Sequence, residues 1–394
     1  MEVKIERQIR TGLNGDEAVA YAAYHADVDV IAAYPITPQT IIVERLSEFV
    51  HDGLLDAEFI PVESEHSALS AVVGAAASGV RTFTATASQG LALMYEILYI
   101  ASSLRLPVVM ALANRALSAL INIHCSHDDA YAARDSGWIE FFAENVQEAY
   151  DLVIAAFRVA EDRNISFPAI VNLDGFILSH SVEPLYIYEG QDVVREFLPK
   201  REPIVKLDPD KPITMGALAL QNYYMELKRA QAEAFEATPP YIRRILREYS
   251  GFSGRKYDFI KKYMIDDADI GFLVLGSTAG TMRHVVRKWR EKGRKVGLIS
   301  LTLYRPFPVD DLRDAVKGLK KLVVMDRSYS FGSPYAQLYM DVAATLYDEP
   351  EKPDLINVIY GLGGRDFNEY TAEETWEKIN RPDVKKVWVG VRGD

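Results

Sequence analysis

Two kinds of pattern alternate along the first part of the chain. Short runs of apolar and β-branched residues, typical of strands, are followed by stretches in which small and apolar residues recur at helical spacing. Regular alternation of this kind indicates βαβ units and a mostly parallel sheet. The unbroken apolar run PVVMALA favours a sheet that is covered on both faces. The predicted strands are residues 28–33, 58–62, 81–87 and 107–113, and the predicted helices are residues 14–26, 40–49, 67–78 and 90–104.

The pattern is interrupted and then resumes in the second half. Residues from about 183 to 250 are rich in proline and charge, and we predict a linker along the surface with a charged helix over 223–249, interrupted at Pro239 and Pro240. A length of 394 residues also fits two cores better than one. We therefore predict a first domain over residues 1–250, including this linker, and a second, smaller domain over 251–394. The strands predicted in the second domain are residues 270–275, 295–302 and 321–326, and the helices are residues 278–292 and 309–319.

Composition and charge exclude several classes of protein. The chain is 49% hydrophobic and 25% charged, as globular proteins are, and its formal net charge is -12. Because nucleic acids bind to basic surfaces, no nucleic-acid partner is expected. The N-terminal MEVKIERQIR lacks the apolar segment of a secretory signal, and the longest apolar stretch is broken by Glu96 and Arg105. We predict a cytoplasmic protein with no membrane segment.

Cysteine usage limits the redox chemistry of this chain. Its one cysteine, Cys125, cannot form an internal disulfide and cannot hold an iron–sulfur cluster, which normally needs four cysteine ligands. Any such cluster must lie on another chain. His124 and His127 flank Cys125, but neighbours in sequence do not make a catalytic dyad, so we do not expect a nucleophilic cysteine.

The segment AAYPITPQT follows the first predicted strand. In open α/β sheets ligands bind beyond the carboxyl ends of strands, where Thr37 would present its hydroxyl. Alternatively, Thr37 is simply the N-cap of the next helix and Pro38 its first residue. Spacing alone favours this second interpretation.

A carboxylate stands at the next strand end, in PVESEHSALSAVVGAAASG. Glu65 precedes a helix that consists almost entirely of small residues, which should pack closely against a neighbour. Glu65 is either a partner for the helix dipole or a buried acid that works with a cofactor. For His66 we expect a packing role.

Two further strand ends carry polar groups. In TFTATASQGLALM, Ser88 and Gln89 lie where backbone N–H groups point outward, although the spacing of a nucleotide phosphate loop is absent. Arg115, after the strand ending in ALAN, suits a bidentate grip on a carboxylate. The aspartate-rich loop that follows lacks regular metal-ligand spacing, so we predict a solvated loop with Arg134 and Asp135 as a local pair.

Taken together, the chain resembles the α subunit of pyruvate:ferredoxin oxidoreductase and its 2-oxoacid relatives. The resemblance rests on the segments YPITP, ESEHSA, TFTATASQGLALM, NR followed by INIH, RDSGWI, ADIGFLVLGSTAGT, YRPFP and GLGGRD, which span nearly the whole chain. It implies an α/β fold: a thiamine-diphosphate pyrimidine-binding domain, built on a doubly wound parallel sheet, and then a smaller transketolase C-terminal-like domain. It also implies CoA-dependent oxidative decarboxylation of pyruvate, with ferredoxin as the electron acceptor.

The resemblance assigns roles to particular residues. Glu65 matches the glutamate that hydrogen-bonds the aminopyrimidine of thiamine diphosphate and so helps to remove the proton from thiazolium C2. Thr37 and Arg115 match residues that hold the substrate, with Arg115 on its carboxylate. The cofactor-binding residues expected beside Glu65 are Pro35, Ile36, Ser88 and Gln89.

One absence implies partner chains. Thiamine enzymes normally hold Mg²⁺ and diphosphate with a GDG segment, which this chain lacks. The resemblance therefore implies a β subunit that supplies this half of the site, with the 67–78 helix as part of the interface. A γ subunit and a ferredoxin-like δ subunit are also implied, and the [4Fe-4S] clusters are expected on the partner subunits. No metal ligand is expected on this chain.

Three alternatives remain open. Residues 118–121 read SALI, where relatives often have a proline, so a branched-chain, aryl or 2-oxoglutarate substrate is the alternative to pyruvate. The chain could be a non-catalytic scaffold subunit, although Glu65, Thr37 and Arg115 are intact. A self-sufficient transketolase-like homodimer is the third, and the missing GDG segment opposes it.

Overall fold

The computed structural model describes residues 7–118 and 120–393, and within them the chain folds as an α/β protein. The strands are β1 (Gln8–Leu13), β2 (Val30–Ala33), β3 (Glu58–Pro61), β4 (Thr82–Thr86), β5 (Val109–Asn114), β6 (Ile139–Phe142), β7 (Ala169–Asp174), β8 (Glu183–Tyr188), β9 (Ile260–Tyr263), β10 (Ile270–Leu275), β11 (Val296–Leu301), β12 (Leu303–Arg305), β13 (Lys321–Asp326), β14 (Asp354–Ile359) and β15 (Lys386–Trp388). The helices are α1 (Gly15–His25), α2 (Thr40–His51), α3 (Glu65–Ser78), α4 (Ser88–Ser103), α5 (Asp128–Ala133), α6 (Val146–Ala160), α7 (Gln191–Arg195), α8 (Tyr224–Glu236), α9 (Pro239–Ser253), α10 (Thr278–Glu291), α11 (Val309–Ala315), α12 (Gln337–Thr345) and α13 (Glu369–Ile379).

The larger sheet of the described chain has the strand order β12-β6-β7-β5-β4-β2-β3. Its strands run parallel except for the edge strand β12, which is antiparallel to β6. Every residue of β4, β5, β6 and β7 is buried, as expected for parallel strands that helices cover on both faces. The predicted doubly wound parallel sheet is therefore confirmed.

The second sheet has the strand order β15-β14-β13-β10-β11-β9 and is built from the second half of the described chain. It is parallel except for β9, which is antiparallel to β11. Its central strands match the prediction closely, because β10 and β13 cover the predicted residues.

A strand from the second half joins the first sheet. Leu303 lies opposite Phe141 and Arg305 opposite Glu140, so β12 forms the edge of the larger sheet. The local pattern around YRPFP did not predict this strand, because its partner lies more than 160 residues away in sequence.

Caps explain where the helices of the site begin. The Asn14 side chain accepts from the backbone N–H of Glu17 and closes a capping box on α1. Ser64 accepts from the Ser67 N–H, so α3 begins at Glu65, two residues before the predicted start. Gly79 caps the C-terminus of α3, and its φ of 101° suits a residue without a Cβ.

The proline-rich region is more structured than predicted. It contains β8, which pairs with β1 in a separate antiparallel ribbon. The interruption of the charged helix is confirmed: α8 ends at Glu236 and α9 begins at Pro239, where a proline is favoured. No helix of the described residues is long and apolar enough to span a bilayer.

Candidate active site

The candidate residues converge at one edge of the larger sheet. Thr37 follows β2, Glu65 follows β3 and Arg115 directly follows β5. Because the carboxyl ends of parallel strands meet at the same edge, the fold brings these residues together at the place where α/β proteins bind ligands.

Glu65 is the first residue of α3 and is only 4% exposed. Its side chain lies against the first turn of α4, where a Cβ on Gly90 would come within 2.8 Å of Glu65 Oε1. Among the described residues, its carboxylate has no hydrogen-bond or ion-pair partner. Buried polar groups normally have a hydrogen-bond partner, and the glycine beside Glu65 leaves space next to its carboxyl. This arrangement fits an acid whose partner is a ligand.

Thr37 and Arg115 are joined across the sheet edge. The Arg115 Nη1 donates to the Thr37 carbonyl at 2.9 Å, and Nε donates to the Asn122 carbonyl at 3.1 Å. Burial lowers the pKa of the Arg115 guanidinium, while the Asp129 carboxylate opposes that shift. These two backbone contacts fix the arginine but leave other guanidinium N–H groups available for a substrate carboxylate.

Thr37 is not a helix cap. The N-cap of α2 is Gln39, and the helix begins at Thr40, so the interpretation of Thr37 as cap and Pro38 as first helical residue is wrong. The side chain of Thr37 is exposed at the sheet edge, as are Pro35 and, in part, Ile36.

Ser88 and Gln89 occupy the first turn of α4, but in different ways. Ser88 is fully buried with a φ of 42°, and its hydroxyl donates to the Ala116 carbonyl at 2.6 Å. Gln89 donates to the Ser118 hydroxyl, while its Oε1 is buried without a partner among the described residues. Ser88 thus holds the loop after Arg115 in place, and the Gln89 carbonyl oxygen remains able to accept a hydrogen bond.

Asp129 organises the site and was missed as a functional residue. Its carboxylate accepts from the backbone N–H groups of Ser88 (3.0 Å) and Arg115 (2.9 Å) and from the Asn114 side chain (3.1 Å). Burial raises the pKa of Asp129 to about 7, although these donors lower it. The carboxylate therefore clamps the end of β5 to the start of α4.

The prediction of a solvated aspartate loop is wrong for this residue, since Asp129 is fully buried. Only the expected Arg134–Asp135 pair is confirmed, at 3.5 Å. The sequence offered one usable signal: two adjacent aspartates begin a short helix, where a carboxylate can accept backbone N–H groups.

The packing role predicted for His66 is wrong. It is exposed on the outer side of α3, and its Nε2 lies 3.9 Å from Glu96 Oε2 on α4. The small residues of α3 do pack closely, because Ala68, Ala76 and Ala77 are buried. The opposite face, with Gly74, is open.

Cys125 belongs to a buried cluster at the junction of the two sheets. Asp174, at the end of β7, accepts from His127 Nε2 at 2.8 Å and from the Ser277 N–H at 3.1 Å, and Arg327 Nη1 lies 3.8 Å away. Burial opposes ionisation of Asp174, but His127 and Arg327 outweigh it and hold its pKa below the ordinary value.

Burial raises the pKa of the Cys125 thiol well above its usual value. This favours the unreactive thiol form over a nucleophilic thiolate. Ligand atoms of Cys125, His127 and Asp174 lie within 4.8 Å of one another, but the Arg327 guanidinium already supplies a positive charge 3.8 Å from the Asp174 carboxylate.

Comparison with known proteins places this arrangement in a family. Residues 21–246 match the model of the pyruvate flavodoxin/ferredoxin oxidoreductase thiamine-diphosphate-binding domain, and residues 268–371 match core domain II of pyruvate:ferredoxin oxidoreductase. The pyruvate synthase subunit PorA of Pyrococcus abyssi is 50% identical over 98% of both chains. The ketoisovalerate oxidoreductase subunit VorA of the same organism is 43% identical over 97% of this chain and 95% of that protein.

A solved 2-oxoglutarate:ferredoxin oxidoreductase from Magnetococcus marinus is similar in fold. It has a TM-score of 0.69 and 19% identity, over 93% of this chain and 65% of that chain. At this identity the likeness shows the fold alone.

Fold and site together define an α/β protein with a thiamine-diphosphate-binding domain. The chain belongs to the pyruvate:ferredoxin oxidoreductase family. The resemblance inferred from the sequence motifs is thereby confirmed.

Proposed function

We propose that this chain is the α subunit of a pyruvate synthase. With its partners it would convert pyruvate, coenzyme A and two oxidised ferredoxins into acetyl-CoA, CO₂, a proton and two reduced ferredoxins, and the reaction would be reversible. The observation that carries the proposal is the buried, unpartnered Glu65 carboxyl at the sheet edge, within a domain of the thiamine-diphosphate-binding type. The pyruvate synthase subunit PorA relative supports the choice of substrate.

The residues present fit the aminopyrimidine half of the cofactor. Glu65 would hold that ring through its carboxyl, and the absence of a Cβ on Gly90 leaves room beside it. Pro35, Ile36 and Gln89, with Ser88 holding the loop, would line the same opening. When bound, thiamine diphosphate supplies the carbanion chemistry that decarboxylation requires.

The chain's own contribution is to hold a proton and a carboxylate in place. Glu65 would hold or pass a proton at its carboxyl, beside the space that the absent Cβ of Gly90 leaves open. Arg115 would pair with the substrate carboxylate, while Thr37 would offer its hydroxyl beside it. Asp129 orients Arg115 through the backbone and does not meet the substrate.

The rest of the site would belong to partners. We propose a β subunit for diphosphate and Mg²⁺, with γ and ferredoxin-like δ subunits completing the complex and [4Fe-4S] clusters on these partner chains. The GDG segment is absent from this sequence, and a single buried cysteine cannot hold a cluster. Coenzyme A and ferredoxin, as intracellular substrates, support a cytoplasmic location.

We further propose that the chain divides into a pyrimidine-binding domain, residues 1–250, and a transketolase C-terminal-like domain, residues 251–394. The two sheets support this division, with β12 as a strand that the second domain contributes to the first.

A branched-chain 2-oxoacid is the second candidate substrate. The ketoisovalerate oxidoreductase subunit VorA is nearly as similar as the PorA relatives. The loop after Arg115 also exposes Ile121 and Ile123, apolar side chains that suit a bulkier substrate. Comparing kcat/KM for pyruvate and ketoisovalerate in the assembled complex decides between the two substrates.

The proposal is tested with Glu65→Gln in the assembled complex. Gln cannot relay a proton, so turnover should fall about 100- to 10,000-fold, the range of a lost general acid–base group. The matched control is Glu63→Gln, an exposed carboxylate two residues away that accepts from the Ser67 hydroxyl at 2.5 Å. Near-normal turnover and cofactor retention in the Glu65 variant would contradict the role assigned to Glu65.

A further inference from the structure

A long apolar segment lies on the surface without a partner in this chain. Residues 204–227, here called the strap, follow α7, run into the first turn of α8 and include the sequence ITMGALALQNYYMEL. Leu218 is 88% exposed and Met225 78% exposed, and no residue of α8 is buried. The large apolar side chains exposed on the strap are Ile204, Val205, Leu207, Ile213, Leu218, Leu220, Tyr223, Tyr224, Met225 and Leu227.

The summed apolar exposure of these ten side chains is large. If a large apolar side chain has roughly 200 Å² of surface, the exposed fractions of these ten amount to roughly 1,200 Å². The largest apolar patch on a typical monomer is about 300–600 Å². A standard interface buries about 800 Å² on each partner. The strap alone is therefore large enough for a stable protein interface.

The ends of the strap are anchored beside α3 and α4. The Leu207 N–H donates to the Ala77 carbonyl at 2.8 Å near the end of α3. Beyond the other end, in α8, Gln231 donates to the Ser102 hydroxyl at 3.3 Å near the end of α4, and Phe235 packs on Phe167 with ring centroids 5.2 Å apart.

These anchors make the strap continuous with the outer face of α3 and α4. That face is open at Gly74 and exposes Leu93, Tyr95 and Ile100 of α4. Helix α3 begins at Glu65, and its 14 residues span about 21 Å to the strap. A chain that covers Glu65 and follows α3 would therefore reach the strap.

We infer that the strap docks the partner chain that completes the thiamine-diphosphate site, extending one apolar interface from the cofactor to α8. This rests on the proposed function, since the partner is identified as the chain with the diphosphate- and Mg²⁺-binding half. The partner must present an apolar face, because the few charges of the strap are nearly balanced: Lys206, Asp208, Asp210, Lys211 and Glu226. A second copy of this chain is the competing occupant.

The occupant is identified by photo-crosslinking in the complete complex. Met225 is replaced by p-benzoylphenylalanine, the purified complex is irradiated, and the linked peptides are identified by mass spectrometry. A crosslink to the subunit carrying the GDG segment is the expected result. A crosslink to another copy of this chain, a crosslink to any other subunit, or none at all overturns the inference.

A second measurement tests the same contact by mutation. The paired changes Leu218→Glu and Met225→Glu should weaken assembly with that subunit at least tenfold in mass photometry, with the circular dichroism of the chain unchanged. The control is Phe331→Glu, which alters a side chain that is 97% exposed in the second half. If the paired variant and the control assemble equally well with that subunit, the inference is wrong.

The same preparations separate this inference from the proposed function. If the wild-type complex turns over pyruvate with thiamine diphosphate but the strap contacts another chain, only the docking inference fails. If the strap contacts the GDG-bearing subunit but Glu65→Gln leaves turnover intact, the role of Glu65 fails and the docking surface stands.

Discussion

At the scale of single residues, hydrogen bonds to backbone groups and to Asp129 hold Arg115 of the candidate site in place. Arg115 is fixed by two backbone carbonyls and by its own N–H on Asp129. Side chains held in this way lose less freedom when a ligand binds, so more of the interaction energy is available for recognition. We therefore expect Arg115 to act as a preorganised carboxylate receptor in the proposed reaction.

Replacing Arg115 with alanine should raise the KM for the 2-oxoacid about 10- to 150-fold, since a charge-assisted hydrogen bond contributes about 1.5–3 kcal/mol. Arg115→Lys should recover only part of this, because lysine lacks the planar fork. Steady-state kinetics of the assembled complex measure both effects. An unchanged KM in the alanine variant would show that the substrate carboxylate is bound elsewhere.

The sequence predicted which candidate residues lie at the sheet edge better than it predicted the residues that support them. Glu65, Thr37 and Arg115 could be singled out because each follows a predicted strand and the carboxyl ends of parallel strands meet at one edge. Asp129 could not, because its burial depends on donors 14 and 41 residues away in sequence. His66 was misjudged because the residue type does not show which side of the helix faces solvent.

At the scale of elements, α3 links the candidate cofactor site to the proposed partner surface. One face of this helix packs on the sheet through small residues, and the other face is open at Gly74. Glycine inside a helix costs about 1 kcal/mol relative to alanine, and this chain's own packing gives no reason for the glycine at position 74. Close approach of a partner helix would supply that reason.

Gly74→Ala should raise the stability of the chain by up to about 1 kcal/mol, because a Cβ there meets nothing within 4 Å and alanine favours helix. Assembly with the partner should weaken at least tenfold. Gly280→Ala in α10 is the matched control, since its Cβ also meets nothing within 4 Å. Chemical denaturation and mass photometry give the two readouts, and unimpaired assembly of the Gly74 variant would argue against close packing on α3.

Periodicity predicted the elements of the first sheet well but not their ends. Helices α3 and α4 begin two residues earlier than predicted, and this shift places Glu65 and Ser88 at the helix starts. Local pattern gives the interior of a helix, whereas caps and tertiary contacts decide its first residue. Strand β12 was missed because a three-residue strand is specified by its distant partner β6.

At the scale of the whole molecule, a buried charged cluster joins the two halves. Asp174 ends a strand of the first sheet, whereas Ser277 and Arg327 follow strands of the second. Breaking one member of a buried ion cluster leaves the others without compensation and costs far more than a surface pair. The cluster should therefore fix the relative position of the two halves.

Asp174→Asn should lower the free energy of unfolding by about 3–5 kcal/mol, because Arg327 and His127 lose their shared carboxylate. Asp135→Asn, which alters only the exposed pair with Arg134, should leave it almost unchanged. Urea denaturation measures both variants. Equal stability of the two would mean that the junction is held by apolar packing alone.

The central claim is that this chain provides only part of a thiamine-diphosphate site. Calorimetric titration of thiamine diphosphate with Mg²⁺ into the purified chain, and separately into the cofactor-free complex, tests it most directly. We predict saturable binding by the complex, none by the chain alone, and weakened binding when the complex carries Glu65→Gln. Tight, stoichiometric binding by the chain alone would contradict the account.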